Sequence, residues 1–399
     1  QLTAAVKIKK IPKLKLEKRT ATNSYLLLNT LNQLNKTQNT YLYLSSEASI
    51  SQVNPNIIAN LANHICAKVI YSVNGSNSAI KTAHYNQGHI LFGGNEQAIK
   101  SWRNIQPDDI VICLGIDVEE YVLNLEKLPA CNIFCLTNLS NAYGQNKNSY
   151  KHLADGSYTQ LDGHIESTLT HLLSKLKPID NSSRLKINSE NKFHITTRQD
   201  RPEKQFVDIA NFYKHINALW RPNSIGFDDI CTAYRDRQAV LLQPNPNIKF
   251  YSSPQGSAMG SAFGLGVGAC LANSKQHCFV FSGDGCSRYF FGCLPETARL
   301  GLTVFIFSNQ SFGIVKSVLQ HILPEFDEKV YHHKLQPINY KQLANSLGWA
   351  YEFLKPNLEN INMLIHKSYQ STHQSLLIEI PCNANQVIGK NIRIENLSM

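Results

Sequence analysis

The chain has 399 residues, enough for two or three domains with sizeable cores, and a formal net charge of +10. Residues 1–20 hold +6 of that excess, from Lys7, Lys9, Lys10, Lys13, Lys15, Lys18 and Arg19 against Glu17. The remainder is mildly basic, Pro12 interrupts any helix in the basic run and no aromatic residues are interleaved, which argues against a nucleic-acid partner. No apolar run reaches the roughly 18 residues that span a bilayer. The ten cysteines contain no CxxC pair, which argues against zinc, and they lie mostly in apolar segments, as reduced thiols of a cytoplasmic protein would. The chain begins at Gln1 without a secretory pattern and reads as a piece of something longer.

In chain order, residues 1–21 form a basic linker or arm, and 22–178 a first α/β unit. Its expected strands are 41–45, 68–72, 110–115 and 132–137, with helices over 55–67, 96–103 and 164–176. Gly88, Gly93, Gly94 and Gly115 mark its turns, and the absence of G-x-G-x-x-G gives no support for a dinucleotide site. Residues 179–202, rich in Asn, Ser, Lys and Arg, read as a linker. The second α/β unit, 203–399, is expected to place helices at 205–219, 257–272, 290–300, 340–350 and 359–371. Strands are expected near Ile225 and over 278–282, 302–308 and 376–380. Short apolar runs alternating with helical segments indicate parallel sheets covered on both faces.

The chemistry is concentrated where the strand Phe279-Val280-Phe281 runs into Gly283-Asp284-Gly285, with Asn309 25 residues after the aspartate at the end of a second strand. Asp284 and Asn309 offer a carboxylate and an amide oxygen, and the Ser311 carbonyl a third oxygen, suited to Mg²⁺. Gly283 and Gly285 leave room for a diphosphate at the start of a helix, where main-chain N–H groups and the helix dipole favour anions. Asp-Gly alone is a common turn and recurs at Asp155-Gly156 and Asp162-Gly163, so the weight rests on the combination.

The segments GSAMGSAFGLGVGACLA, FVFSGDGCS and LTVFIFSNQSFGIVKSVLQ, in this order and spacing, resemble the diphosphate-binding domain of thiamine diphosphate enzymes, nearest the acetolactate synthase and 2-oxoacid decarboxylase group. YKQLANSLGWA and LLIEI extend the match. Residues 22–178, with GGNEQAIKSWRNIQPDDIVICLG, resemble the middle domain of the same superfamily. The resemblance implies an α/β fold of two doubly wound parallel-sheet domains, a Rossmann-like middle domain and a thiamine diphosphate-binding C-terminal part. It implies Mg²⁺ on Asp284, Asn309 and Ser311, and diphosphate against Gly283, Gly285 and the N–H of Cys286. Ser257, Met259 and Gly260 would take the other end of the cofactor, Met259 under the thiazolium and the Ser257 carbonyl on the aminopyrimidine. It further implies decarboxylation or carboligation of a 2-oxoacid through a thiazolium ylide.

Two departures accompany the resemblance. Ser308-Asn309 stands where the family has Asn-Asn, about two residues closer to the aspartate, so that an alternative register puts Ser311 on the metal with the Gly313 carbonyl. The family's pyrimidine-binding domain, source of the activating glutamate, has no counterpart in this sequence. The catalytic glutamate is therefore expected from another chain, in a homo- or hetero-oligomer, or from a removed N-terminal segment. A non-catalytic binding or scaffolding module is the alternative. Lys316, Gln320 and His321 are candidates to line a substrate pocket or to be exposed helix residues.

Overall fold

A computed structural model of the chain describes residues 24–34, 38–82, 85–90, 94–115, 129–138, 156–177, 203–241, 245–253, 258–323, 325–327, 329–386, 388 and 392–396. The basic arm 1–21, the linker 179–202, Gly93 and Ser257 lie outside the described residues.

The described residues build two six-stranded sheets in which every strand pairing is parallel. The first contains β1 (Thr40–Leu44), β2 (Lys68–Tyr71), β3 (Asn86–His89), β4 (Ile110–Leu114), β5 (Asn132–Thr137) and β6 (Ser157–Asp162), in the order β3-β2-β1-β4-β5-β6. The second contains β7 (Ser224–Asp228), β8 (Ile248–Ser252), β9 (His277–Gly283), β10 (Thr303–Ser308), β11 (Ala350–Phe353) and β12 (Leu376–Pro381), in the order β11-β12-β10-β9-β7-β8. Both are doubly wound α/β sheets of the kind the sequence implied.

Central strands are apolar throughout because both faces are covered. In β1, Leu42 and Leu44 join one core cluster while Tyr41 and Tyr43 join the cluster on the opposite face. Phe279, Phe281, Phe305 and Phe307 from β9 and β10 likewise pack on one face, and Val280, Val304 and Ile306 on the other. The Phe281 and Phe305 rings stack with centroids 4.9 Å apart at 12°. Such packing fixes the ends of β9 and β10 relative to each other.

Several elements differ from the sequence expectation. The strands β3, β6, β8 and β11 and the helices Tyr25–Asn32, Ser46–Ile50 and Thr232–Val240 are additional, and the helix Gly313–Ile322 carries Lys316, Gln320 and His321, for which a helical position was one of the two readings. The helix expected over 290–300 is a short 3₁₀ turn, Phe291–Cys293, followed by one helical turn, Leu294–Thr297. The helix expected from 257 begins at Ser261, because Gly260 takes a left-handed φ of 83° as its N-cap. The helix expected over 340–350 ends at Ser346, a left-handed Gly348 (φ 79°) follows, and Ala350 opens β11.

Beneath the second sheet's switch point, Arg237 Nε donates to both Asp228 carboxylate oxygens, at 3.2 and 3.0 Å, and its guanidinium lies 4.0 Å from the centre of the Phe250 ring. Asp228 is wholly buried and Arg237 nearly so. Removing one partner strands the other charge out of water, so Arg237→Ala should lower the unfolding free energy in urea by about 3–5 kcal/mol. Asp228→Leu with Arg237→Met should recover much of that loss.

Candidate functional site

The site lies at the C-terminal ends of β7, β9 and β10, beside the β7/β9 boundary where the chain reverses its winding direction. A cleft of about 290 Å³ opens there. Of the residues singled out in the sequence, it brings together Met259, Gly283, Asp284, Gly285, Cys286, Asn309 and Ser311.

The register Phe307↔Gly283 sets Asp284 beside the turn that leaves β10. Asp284 Oδ2 accepts the N–H of Asn309 at 3.1 Å and also that of Gln310. Burial pushes its carboxyl up to about 6, against the opposing pull of main-chain bonds from Gln310, Gly285 and Asn309 and of the more distant Arg288 charge. Gln310 adopts a left-handed φ of 54°, uncommon for a residue with a side chain, within the turn that leaves β10. Asn309 Oδ1 accepts the Ser311 N–H at 3.0 Å. The Ser311 hydroxyl lies 3.0 Å from Nδ1 of the buried His333. The Phe312 N–H donates to the His333 carbonyl and the Leu335 N–H to the Gln310 carbonyl, a short antiparallel bridge that pins this turn.

Gly285 is required for shape: a Cβ there would come within 2.6 Å of the Phe312 ring. Gly283 is less confined, a Cβ meeting Cys231 Cβ at 3.2 Å. The Cys286 thiol donates to the Ile230 carbonyl at 3.2 Å, and burial pushes it well up from its ordinary range. Met259 is half-buried against the core at the cleft.

Lys316, Gln320 and His321 do not line the cleft; Gln320 and His321 are exposed, and Lys316 Nζ lies 3.5 Å from Asn385 Oδ1. The helix Gly313–Ile322 instead presents Ile314, Val315 and Val318, joined by Phe312 and by Ile394 from the helix Ile392–Glu395. The cleft thus has a polar floor at the strand ends and an apolar wall.

Sequence reasoning missed Asp229, directly after β7. Its Oδ1 accepts the Gly260 N–H at 2.9 Å and its Oδ2 the Ser282 hydroxyl at 2.8 Å, tying the Met259 turn to β9. The run GFDDICTAYRDRQ carried no signal for this role, since charged residues so placed usually face solvent. Burial pushes Asp229 up to about 6, against hydrogen bonds from Ser282, Gly260 and Ile230. A carboxyl raised on folding contributes stability that is fully present below its unfolded pKa of 3.8 and lost as pH rises through 6. Unfolding free energy measured from pH 4 to 7 should therefore fall by on the order of 3 kcal/mol more in the wild type than in Asp229→Asn.

Residues 235–380 match the family described as thiamine pyrophosphate enzyme, C-terminal TPP binding domain. No curated protein matches the chain significantly in sequence. Among solved structures, a thiamine diphosphate-dependent 4-hydroxybenzoylformate decarboxylase of Rhodococcus jostii RHA1 is similar at 16% identity and a TM-score of 0.67, over 95% of this chain and 66% of that one. A benzoylformate decarboxylase from Polynucleobacter necessarius is similar at 14% identity and a TM-score of 0.65, over 95% of this chain and 69% of that one. This chain spans about two thirds of the length of each. At such identities the likeness establishes the fold, and the family match adds the domain. The C-terminal domain is thus matched in sequence to the TPP binding domain of thiamine pyrophosphate enzymes over 235–380, and the two sheets share the fold of the thiamine diphosphate-dependent structures.

Proposed function

We propose that the chain forms the middle and diphosphate-binding parts of a thiamine diphosphate- and Mg²⁺-dependent lyase that decarboxylates a 2-oxoacid with an apolar side chain. The observation that carries this reading is geometric: the paired ends of β9 and β10 bring Asp284, Asn309 and Ser311 together at the cleft, inside the stretch matched to the TPP binding domain. Such a set of oxygens is suited to a cation. Hard oxygens on a carboxylate, an amide and a carbonyl suit Mg²⁺.

On this reading Asp284, the Asn309 side chain and the Ser311 carbonyl hold the ion. Asn309 is favoured over the Ser311 hydroxyl, which already sits against His333. Gly283, Gly285 and the main chain at Cys286 face the diphosphate; Met259 and Gly260, with Ser257, support the rest of the cofactor. When bound, the cofactor supplies the electron sink for the charge left on the substrate as carbon dioxide departs. The chain's own contribution is to orient, to neutralise the phosphates and to surround the substrate side chain with Phe312, Ile314, Val318 and Ile394. The aromatic 2-oxoacids named for the structural neighbours suit that wall and are the first to test. We assign the activating glutamate and the pyrimidine-binding wall to another polypeptide or to further sequence of a longer protein. Carboligation would use the same cleft with a second carbonyl compound as acceptor. Among the described residues no helix is long and apolar enough to cross a membrane.

Calorimetric titration of the chain with thiamine diphosphate should show binding that requires Mg²⁺, and Asp284→Ala should weaken it by on the order of 100-fold or more. No heat from the wild type with Mg²⁺ present would overturn the proposal. With a polypeptide supplying the pyrimidine domain, benzoylformate should release carbon dioxide and 2-oxoglutarate should not. Val318→Asp, which sets a carboxylate into the apolar wall, should cut kcat/KM for benzoylformate by about tenfold or more. Tight binding without turnover would point instead to a non-catalytic module.

A further inference from the structure

β8 is an edge strand: among the described residues its only partner in the sheet is β7, so the outward N–H and C=O groups of alternate residues need partners elsewhere. They find them in two side chains of the first unit. Asn74 Nδ2 donates to the Ser252 carbonyl at 3.0 Å while its Oδ1 accepts the Ser252 N–H at 2.7 Å. Asn77 does the same to Phe250, Nδ2 donating to the carbonyl and Oδ1 accepting the N–H, both at 2.9 Å. A carboxamide has the donor and acceptor of a peptide group side by side, so these two amides stand in for a neighbouring strand. Both are buried, at 8% and 6% exposure, and both issue from the turn after β2 that contains the 3₁₀ helix Gly75–Ser78.

What the clamp holds gives it a function. Ser252 ends β8, and Met259 follows seven residues later. The far side of that connection is fixed by Asp229, which takes the Gly260 N–H and directly follows Asp228, the residue paired with Ser252. Ser252 on one side of Met259 is therefore held by Asn74 and Gly260 on the other by Asp229, with β7 as the common base. We propose that Asn74 and Asn77 are positioning residues: they hold the free edge of β8 and so set where Met259 and Gly260 stand in the cleft, although neither lines it. The consequence for cofactor binding rests on the reading of Met259 given under Proposed function.

The test uses the full chain and the single variants Asn74→Asp and Asn77→Asp, which keep the size and the acceptor but replace the donor with a carboxylate oxygen facing a carbonyl. Amide hydrogen exchange should speed up at Phe250 and Ser252 and also at Gly260, by about tenfold or more, with exchange in β10 unchanged. Unchanged exchange at Gly260 would overturn the positioning role, and faster exchange throughout both sheets would overturn it in favour of general destabilisation. Calorimetry with Mg²⁺ then compares thiamine diphosphate with inorganic pyrophosphate. The Kd for thiamine diphosphate should rise about tenfold in the variants while that for pyrophosphate stays within about twofold, because the Gly283–Asp284 end is built from other strands. Equal losses for both ligands, or none for either, would overturn the proposal. A wild type that binds neither ligand would sink the functional reading, and Gly260 exchange would still decide whether the clamp positions that turn.

Discussion

The pairing of β9 with β10 is the constraint on which the site depends. Phe307 lies opposite Gly283, so the next residues, Asp284 on one strand end and Asn309-Gln310 after the other, meet as carboxylate and N–H donors. A slip of one residue would invert every side chain of β10, sending Phe305 and Phe307 out of their aromatic cluster and Val304 and Ile306 into it. The stacked rings therefore specify the register, and the register specifies the polar geometry several ångströms away. Packing that contributes nothing to the chemistry determines where the chemistry can occur.

The acidic residues around the strand ends divide by how their charge is compensated. Asp228 and Asp236 are paired with Arg237 and Arg235, both buried, and these pairs lie on or beside the helix Thr232–Val240. Asp229 and Asp284 are held instead mainly by main-chain N–H groups and, for Asp229, a hydroxyl, and both rise to about 6. Burial pushes all four carboxyls up, those paired with arginine included. The difference suits different tasks. A carboxylate already neutralised by arginine has little further affinity for a cation, whereas Asp284 faces the cleft with main-chain N–H groups on its Oδ2, as the proposed metal role requires. Asp229, sealed beneath the Gly260 turn, uses the same main-chain bonding to fix the backbone.

The division between what was legible and what was not follows burial. The strands read from the sequence, β1, β2, β4, β5, β7, β9, β10 and β12, are the interior strands, whose two covered faces leave an apolar run. The four that were missed are the four sheet edges: NQGH, SYTQLD, IKFYS and AYEF carry polar residues because one side of each meets solvent or another unit. The helix Thr232–Val240 was missed because Arg235, Asp236 and Arg237 are buried by pairing, which removes the apolar periodicity on which such a reading relies. At the site, Asp284, Asn309, Met259 and the glycines were legible because turn and strand-end chemistry leaves a local signature. The apolar wall was not: within GIVKSVLQHI any face can be the inner one, and the phase that brings Ile314 and Val318 to the cleft, rather than Lys316 and Gln320, is set by tertiary packing.

The join between the units has a logic of its own. Asn74, Asn77 and Asn95, all buried in the first unit, bond to main-chain groups of the second, Asn95 donating to the Gln238 carbonyl at 2.6 Å. Neutral amides cost far less to bury than charges, and each is satisfied in both senses, Asn95 by accepting the His89 N–H. Because they address the backbone, these contacts are indifferent to the side chains of β8 but sensitive to its register. Inserting one residue between Phe250 and Ser252 would turn one of the two outward peptide groups toward β7 and break the alternation that two amides three residues apart can span. The same insertion would shift Ser252, from which the chain leads on to Met259, out of register with Asp228. Edge protection, docking of the first unit and placement of the cleft's methionine thus share one geometric requirement, which explains how a strand lacking any catalytic group can be tied closely to the site.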